Sequence, residues 1–483
     1  MLAPLLLVLL APVAAAPRPA TLRHLDGSPL TRVDVDSTVV RLMRAGEVPG
    51  VSLAILDGGR IAYLRSYGFR DTSGAPLTPT SVMQAASFTK PAFACLVLQL
   101  VDEGRLDLDA PIARYLSRPL PEYPAYADLA SDPRWRSLTT RMLLNHTSGF
   151  PNWRWLVSDH KLGFHFDPGT RYAYSGEGIA LLQLVVGEIT HAPLDSLMDA
   201  RLFQPLGMSR TTMTWRSDLD VGEVDGFDEY GRRIAHEHWP AADAAGSMQT
   251  TPHDFALLLA AVAEGRVGHT ARSAMLSPQV RIRSAHQFPS LDTATTHAND
   301  AIRLSYGLGW GLYWTRYGEA FFKEGHAEGW ENYAVYFLRP RRGLVIMTNS
   351  SNGEGIFAGL LREILGDPET PLDWEGYIPY DRRPPRPPLV VHHAVPVAAD
   401  VIARYLGRYG DPPTAVLTVR RLGDHLAIQE NAEPPEEVFG ESDRQFFSRT
   451  SDDIFTFEQD AQGRVTRMVL HTGGRVIPIP RIE

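Results

Sequence analysis

The sequence predicts a mixed α/β (α+β) region followed by a small, barrel-like all-β module, and three observations carry that prediction. From about Ser37 to Asn352, strand-like and helical stretches are mixed. The segment YIPYDRRPPRPPLVVHHAVP, residues 377–396, then holds six prolines in twenty residues, too many for a helix or a central strand. Beyond it, residues 400–483 show short alternating strands such as AVLTVRRL, DIFTFEQD and RVTRMVLHT, separated by turn signals such as Gln462-Gly463. With 483 residues and 44% apolar composition, the chain has enough material for one large core and a smaller one. The expected division is a leader at 1–16, a large domain at 20–376, a stiff linker at 377–396 and the all-β module at 397–483.

Taken in order, the elements read as follows. MLAPLLLVLLAPVAAAP is apolar, too short to span a membrane, and ends in small residues suited to cleavage near Ala14 to Ala16, so it reads as a secretory signal. The mature protein is then expected to be secreted or periplasmic. VSLAILDGGRIAYLRSYG reads as a hairpin turning at Asp57-Gly58-Gly59. IALLQLVVGEIT, FALLLAAVAEG and AGLLREILGD read as helices. AFACLVLQLV is apolar on every side, the mark of a buried helix, and it holds Cys95, the chain's single cysteine. No intrachain disulfide can form, and Cys95 reads as a small hydrophobe, not a nucleophile.

A formal charge of −9 without any Lys/Arg run argues against a nucleic-acid surface or a basic membrane patch. The expected partner is a small molecule.

Of the 47 Lys and Arg residues only three are lysines, at 90, 161 and 323. Pro91 is tolerated only in a first helical turn, so the helix through AFACLVLQLV begins close to Ser87. Ser87 then sits where free N–H groups and the helix dipole favour developing negative charge. Lys90, three residues on, falls on the same face and can reach the serine hydroxyl. Arginine cannot serve as a base there, because its guanidinium does not deprotonate in proteins, whereas a desolvated lysine can. A serine three residues before a given lysine arises by chance on the order of once in fifteen times, so Ser-x-x-Lys alone is a weak signal.

Its company strengthens it. FDPGTRYAYSGEGIALL sets Tyr174 just before a helix, and FFKEGHAEGWENYAVYF sets Lys323 in a strand-like segment that reaches a glycine two residues later. Ser-x-x-Lys, Tyr-Ser-x and Lys-x-Gly in this order resemble the serine β-lactamase and penicillin-binding-protein superfamily, specifically its class C β-lactamase-related branch. VPGVSLAILDGGRIAYLRSYG, EGRLDLDAPIARYL, LTTRMLLNHTSGFP, LFQPLGMSRTTM, AAGSMQTTPHDFALLL, SYGLGWGL and GLVIMTNSSNG also look like landmarks of that family, in family order, over about residues 36–365. RYLGRYG and FEQDAQGRVTRMVLH resemble the lipocalin-like domain often appended to it.

The resemblance implies a β-lactamase/transpeptidase-like fold, an antiparallel sheet flanked by helices with a helical subdomain. It implies Ser87 as acyl-accepting nucleophile, Lys90 as its proton partner, Tyr174 as second acid/base and Lys323 as the cation that holds the Tyr174 and Lys90 pKa values down. The oxyanion hole would be the backbone N–H groups of Ser87 and of His326, the residue after Lys-x-Gly; losing one such donor costs on the order of 10²–10³ in rate. The expected activity is serine hydrolysis of an ester, amide or peptide substrate through an acyl-enzyme, with no metal or organic cofactor required. Self-association through the C-terminal module is a further expectation.

Two departures from the family pattern bear on substrate. The second motif reads Tyr174-Ser175-Gly176 where the family has Tyr-x-Asn, so a substrate-holding amide is missing at Gly176. The third has Glu324 before Gly325, where the family has a hydroxyl that meets a substrate carboxylate. Strand alternation sends Lys323 and Glu324 to opposite faces, and a glutamate in the hydroxyl's place repels an anion. Neutral or cationic substrates are therefore expected ahead of β-lactams or D-Ala-D-Ala peptides. The register His326-Ala327-Glu328 is a weaker alternative for the third motif, because it lacks the glycine.

Other candidates are weaker. The histidines of HEHW at 236–239 lie at i, i+2 with no third ligand nearby, so a surface loop is expected, not a metal site. His392 and His393 are expected to be solvated. YGLGWG at 306–311 lacks the lysine of a phosphate cradle, and Trp310 suits a packed strand. No GxSxG elbow exists in the chain, which removes an α/β-hydrolase reading. Trp153, Trp155 and Trp330 flank the motifs and are candidates to line an acyl pocket, against the commoner fate of burial. His146 in NHTSG and Asp167 before Pro168-Gly169 read as capping and turn residues.

Overall fold

The computed structural model describes residues 22–482 apart from 220–222, 269, 387–391, 412–414, 431–434, 450, 452 and 473–474. The leader expected at 1–16 and the middle of the proline-rich segment lie outside the described residues. Two compact units emerge: one runs to Gly226 and resumes over His236–Arg383, and the other comprises Phe227–Ala235 and Pro384–Glu483.

The first unit is built on an eight-stranded sheet. In chain order its strands are β1 (Gly50–Asp57), β2 (Arg60–Gly68), β3 (Val280–Arg281), β4 (Ser305–Tyr306), β5 (Gly311–Thr315), β6 (Gly318–Ala327), β7 (Trp330–Phe337) and β8 (Arg342–Thr348). Their spatial order is β2-β1-β8-β7-β6-β5-β4-β3, and every pairing is antiparallel. The first hairpin closes where expected: Asp57 pairs with Arg60, and Gly58 and Gly59 between them have φ of 63° and 80°, the double left-handed turn whose twist suits flanking strands.

Strands that read as near-continuous apolar runs are those covered on both faces. Along β1, Val51, Leu53 and Ile55 enter one core cluster while Ala54 and Leu56 enter the other. Helix α1 (Arg32–Ala45), capped by Thr31 in a capping box, buries Val35, Val39 and Leu42 in the first cluster, where it meets α5 (Glu354–Leu360). On the opposite side α2 (Thr89–Asp102), α3 (Gly176–Thr190) and α4 (Pro252–Glu264) share the second cluster. Helix α2 is buried nearly all round, as its unbroken apolar sequence requires, and Cys95 is fully enclosed in it. Trp310 is equally buried, in the bend between β4 and β5 and not in a strand. Among the described residues no helix is long and apolar enough to cross a membrane.

The second unit opens with α6 (Ala399–Tyr405). Eight strands follow, β9 (Gly407–Asp411), β10 (Ala415–Leu422), β11 (His425–Glu430), β12 (Glu436–Gly440), β13 (Gln445–Ser448), β14 (Ile454–Gln459), β15 (Val465–Thr472) and β16 (Arg475–Pro480). They pair in sequence order as an antiparallel meander, and a bridge between Tyr409 and Arg481 brings the first strand to the last, so the sheet is a nearly closed barrel. Tyr405, Tyr409, Phe446, Phe455, Phe457 and Met468 fill its interior. His392, expected to be solvated, is mostly covered: its Nδ1 donates to the Glu441 carboxylate at 2.8 Å, and its ring stacks on Phe447.

Candidate active site

Ser87 lies in the 3-10 turn Ala86–Phe88 that runs directly into α2, so Pro91 does fall in the first helical turn. Ala86 has φ of 47°, a left-handed conformation that costs a residue with a Cβ about 1–2 kcal/mol. The surroundings hold it: the Thr89 hydroxyl donates to the Ala86 carbonyl at 2.6 Å and accepts from the Met248 N–H at 3.0 Å. Strain of this kind, overdetermined by its neighbours, is common at functional sites.

Lys90 is 2% exposed, and its amine donates to Ser87 Oγ at 2.9 Å and to the Ala245 carbonyl at 2.7 Å. Tyr174 arrives just before α3, where the Ser175 side chain accepts from Gly178 N at 3.0 Å and so caps the helix. The Tyr174 ring lies between two lysines, with Lys90 Nζ and Lys323 Nζ each 5.0 Å from its centroid. Lys323, on β6, donates to the Tyr174 phenol oxygen at 3.2 Å. Ser87, Lys90, Tyr174 and Lys323 thus form one chain of contacts.

Alternation along β6 would part Lys323 from Glu324, yet the glutamate side chain folds back and its Oε1 accepts from Lys323 Nζ at 2.5 Å. The reason is burial: both side chains are almost wholly out of water, and a dry ammonium and carboxylate that can reach each other do. With the Glu324 carbonyl at 3.0 Å, Lys323 has three acceptors for three donors. Burial alone would push its ammonium down, but the Glu324 carboxylate and Tyr174 more than offset this and leave it above the usual lysine value. Gln287 Nε2 also donates to Glu324 Oε1, at 3.0 Å. Glu375 sits beside Glu324, and burial together with that neighbour pushes its carboxyl well above the usual range.

Past Phe322, β6 has no pairing with β5, so one edge of residues 323–327 is left to the turn carrying Ser87. The glycine of Lys-x-Gly is required by that approach, since a Cβ on Gly325 would stand 2.5 Å from the Ala85 carbonyl oxygen. The Asn332 amide fixes the two segments together, donating to the carbonyls of Gln84 at 3.0 Å and Gly325 at 3.2 Å. Ser87 and His326 both line the resulting cleft of about 510 Å³, a size suited to a small molecule. The His326 imidazole points outward and pairs with buried Glu331 at 2.5 Å.

Gly176 does not line the cleft. A Cβ there would lie 2.5 Å from the Trp153 ring, which occupies the space a longer side chain would need. Trp153 lines the cleft and stacks on Trp155, which is 53% exposed, whereas Trp330 is sealed in the core. Asn152 beside it accepts from the Gly176 N–H at 3.0 Å and also lines the cleft. The HEHW loop is not simply surface: His236 is buried between the Val224 carbonyl and Gln249, and Glu237 and Trp239 line the cleft. His146 is more than a turn residue. It adopts φ of 58°, its Nδ1 accepts from Ser175 N–H at 3.2 Å, and its ring packs 4.4 Å from that of Tyr174. Burial, with Lys90 and Lys323 nearby, drives its pKa far down and keeps it neutral. Gln287, Glu375, Asn152 and Asn332 carry no motif; only Asn332, the one amide in a strand that is apolar apart from it and Glu331, leaves a trace in the sequence.

Comparison with known proteins agrees with this geometry. The profile of the family described as Beta-lactamase matches residues 35–366, and that of DUF3471, a domain of unknown function, matches 392–478. A penicillin-binding protein of Bacillus subtilis (strain 168) is 23% identical over 84% of this chain and 89% of its own length. Esterase EstB of Burkholderia gladioli is 32% identical over 41% of this chain and 55% of its own length. The structure of the octameric penicillin-binding protein homologue from Pyrococcus abyssi superposes with a TM-score of 0.57 at 19% identity, covering 93% of this chain and 100% of that one. The chain belongs to the beta-lactamase family of serine hydrolases.

Proposed function

We propose that the protein hydrolyses ester or amide bonds of small neutral or cationic substrates through an acyl-enzyme on Ser87. The observation that carries this reading is the 2.9 Å contact between Lys90 Nζ and Ser87 Oγ in a cleft that also holds the Tyr174–Lys323 pair. Ser87 Oγ attacks the carbonyl carbon as its proton passes to Lys90 or Tyr174. The backbone N–H groups of Ser87 and His326 receive the negative charge on the carbonyl oxygen. The C–O or C–N bond then breaks, and the departing oxygen or nitrogen takes up a proton. Water, deprotonated by Tyr174, attacks the acyl carbon, releases the acid and restores the serine hydroxyl. The Lys323 ammonium donates to the phenol oxygen at 3.2 Å and so holds it in position for this step.

Preference against anions rests on Glu324, whose carboxylate neutralises Lys323 where the family has a hydroxyl. A panel of p-nitrophenyl esters, D-amino-acid amides and nitrocefin, run on the protein and on Ser87→Ala, tests the reading. Ester turnover lost in Ser87→Ala supports it; nitrocefin turned over faster than the ester overturns the substrate assignment. The departures at Gly176 and Glu324 favour one rival, a family member that binds cell-wall material without turnover. Failure of a fluorophosphonate to label Ser87 would establish that rival. In this reading the protein is secreted or periplasmic once its leader is cut, which the N-terminal sequence of mature protein checks, and self-associates through its C-terminal unit, which light scattering checks.

A further inference from the structure

One residue behind the cleft grips the chain on both sides of Tyr174. The N–H before the tyrosine, that of Ala173, donates to the His146 carbonyl at 2.8 Å, and the N–H after it, that of Ser175, donates to His146 Nδ1 at 3.2 Å. The imidazole lies 4.4 Å from the Tyr174 ring, tilted by 34°. Its other ring neighbours are Tyr306 at 5.0 Å and Tyr172 at 6.0 Å, both edge-on, and it is 1% exposed. A single backbone choice underlies these contacts: His146 has φ of 58°, in the left-handed region that few residues with a Cβ enter and histidine enters more readily than most. Such a conformation persists where its neighbours overdetermine it, and it clusters at functional sites.

The chemistry of the ring keeps the grip in place. Because Nδ1 accepts from Ser175, the one ring proton of the neutral form belongs on Nε2. A second proton would have to sit on Nδ1, facing the Ser175 N–H, in a dry pocket beside Lys90 and Lys323. Burial and those two neighbours hold the imidazole far below the usual histidine value. His146 is therefore a fixed neutral acceptor.

We propose that His146 is a positioning residue for Tyr174: it clamps the main chain on either side of the tyrosine and backs its ring, and so holds the phenol oxygen against Lys323 in the cleft that carries Ser87. His146 is not among the residues that line the cleft, so it acts only through Tyr174. Its effect on turnover rests on the hydrolase reading, in which Tyr174 moves protons; the clamp itself does not.

Ester turnover of the full chain, of His146→Asn and of His146→Gly tests the proposal, together with Tyr174→Phe alone and combined with His146→Gly. Asparagine and glycine both accept the left-handed backbone, but only asparagine brings an acceptor to the place of Nδ1. His146→Gly is expected to lose about thirtyfold or more in kcat with KM within about threefold of the parent, and His146→Asn to stay within about fivefold in kcat. In Tyr174→Phe the further change His146→Gly should cost less than about threefold, since a residue acting through the phenol has nothing left to place. Equal losses in the asparagine and glycine variants, or the same loss with and without the phenol, overturn the proposal; where Tyr174→Phe has no measurable turnover, the asparagine and glycine comparison decides. If His146→Gly does not fold, NMR of selectively labelled histidine nitrogens in the parent at about pH 7 takes its place, with the His146 signals identified by their loss in His146→Asn. A proton on Nε2 alone supports the proposal, and a proton on Nδ1 overturns it. If the parent neither turns over esters nor takes a fluorophosphonate label on Ser87, the hydrolase reading fails, and the same NMR measurement decides the clamp.

Discussion

Single residues set the chemistry of the cleft. Ser87→Ala is expected to reduce ester turnover by about 10³-fold or more, because no other group can carry the acyl chain, and steady-state kinetics measure it. Glu324→Thr, which restores the hydroxyl usual in the family, removes a carboxylate from the anion's path. Nitrocefin kcat/KM should rise at least about tenfold, the effect of roughly 1.4 kcal/mol. The pair His326 and Glu331 makes a prediction about pH. Glu331 beside it raises the imidazole to about 9, and burial raises the Glu331 carboxyl to about 7. Both folded values lie above the unfolded ones of about 6.5 and 4.3, so the folded state binds protons more tightly. The imidazole's contribution is fully present below about pH 6.5 and fades as pH rises through about 9, while the carboxyl's contribution is lost earlier, as pH rises through about 7. The thermal midpoint should fall between pH 6 and 9.5, and Glu331→Gln, which removes the buried carboxyl and the partner that raises the imidazole, should flatten that fall. Much of this scale was legible in the sequence: Pro91 fixes the helix start, and the start fixes Ser87 and Lys90. Glu375 and Gln287 were not legible, because one ends the short helix Leu372–Glu375 and the other lies in a loop, both remote in sequence from Glu324, which they meet only through tertiary packing.

At the scale of elements, the site depends on the close passage of β6 beside the turn Ala86–Phe88. Gly325→Ala drives a Cβ to 2.5 Å from a backbone carbonyl, which neither segment relieves without moving. A loss of about 1–3 kcal/mol in stability is expected, with a fall in kcat/KM that comes mainly from kcat, since Ser87 and residue 326 shift relative to each other. Scanning calorimetry and ester kinetics check the two halves. Elements with local punctuation were readable: two glycines mark the β1–β2 turn, and unbroken apolar runs mark α2 and α4. Period alone misjudged what depends on reach, as with the Glu324 side chain turned back on Lys323. It also put Trp310 in a strand, when a buried bend satisfies the same apolar demand.

For the whole molecule, each unit has a core of its own: among the described residues, the barrel interior is filled from the C-terminal unit, and the two clusters on either side of the large sheet are filled from the first. Phe457→Ala, which removes a fully buried ring stacked 4.2 Å from Tyr405, should cost that unit about 3–5 kcal/mol. Fluorophosphonate labelling of Ser87 should stay within twofold of the parent. Cys95, the single thiol, lies inside α2, and burial pushes its pKa far up. It should react with a thiol reagent only on unfolding, and dithiothreitol should leave the thermal midpoint unchanged. The two-part organisation was legible because a proline-rich stretch and a change of hydrophobic period coincide.

The indole of Trp153 against Gly176 has a consequence for how specificity can evolve in this chain. An asparagine at 176 enters only after the ring has been reduced, so the two substitutions are epistatic: Gly176→Asn alone is harmful, while the same change after Trp153→Ala is accommodated. Any mutational route from this protein toward an amide-holding relative must therefore pass through position 153 first.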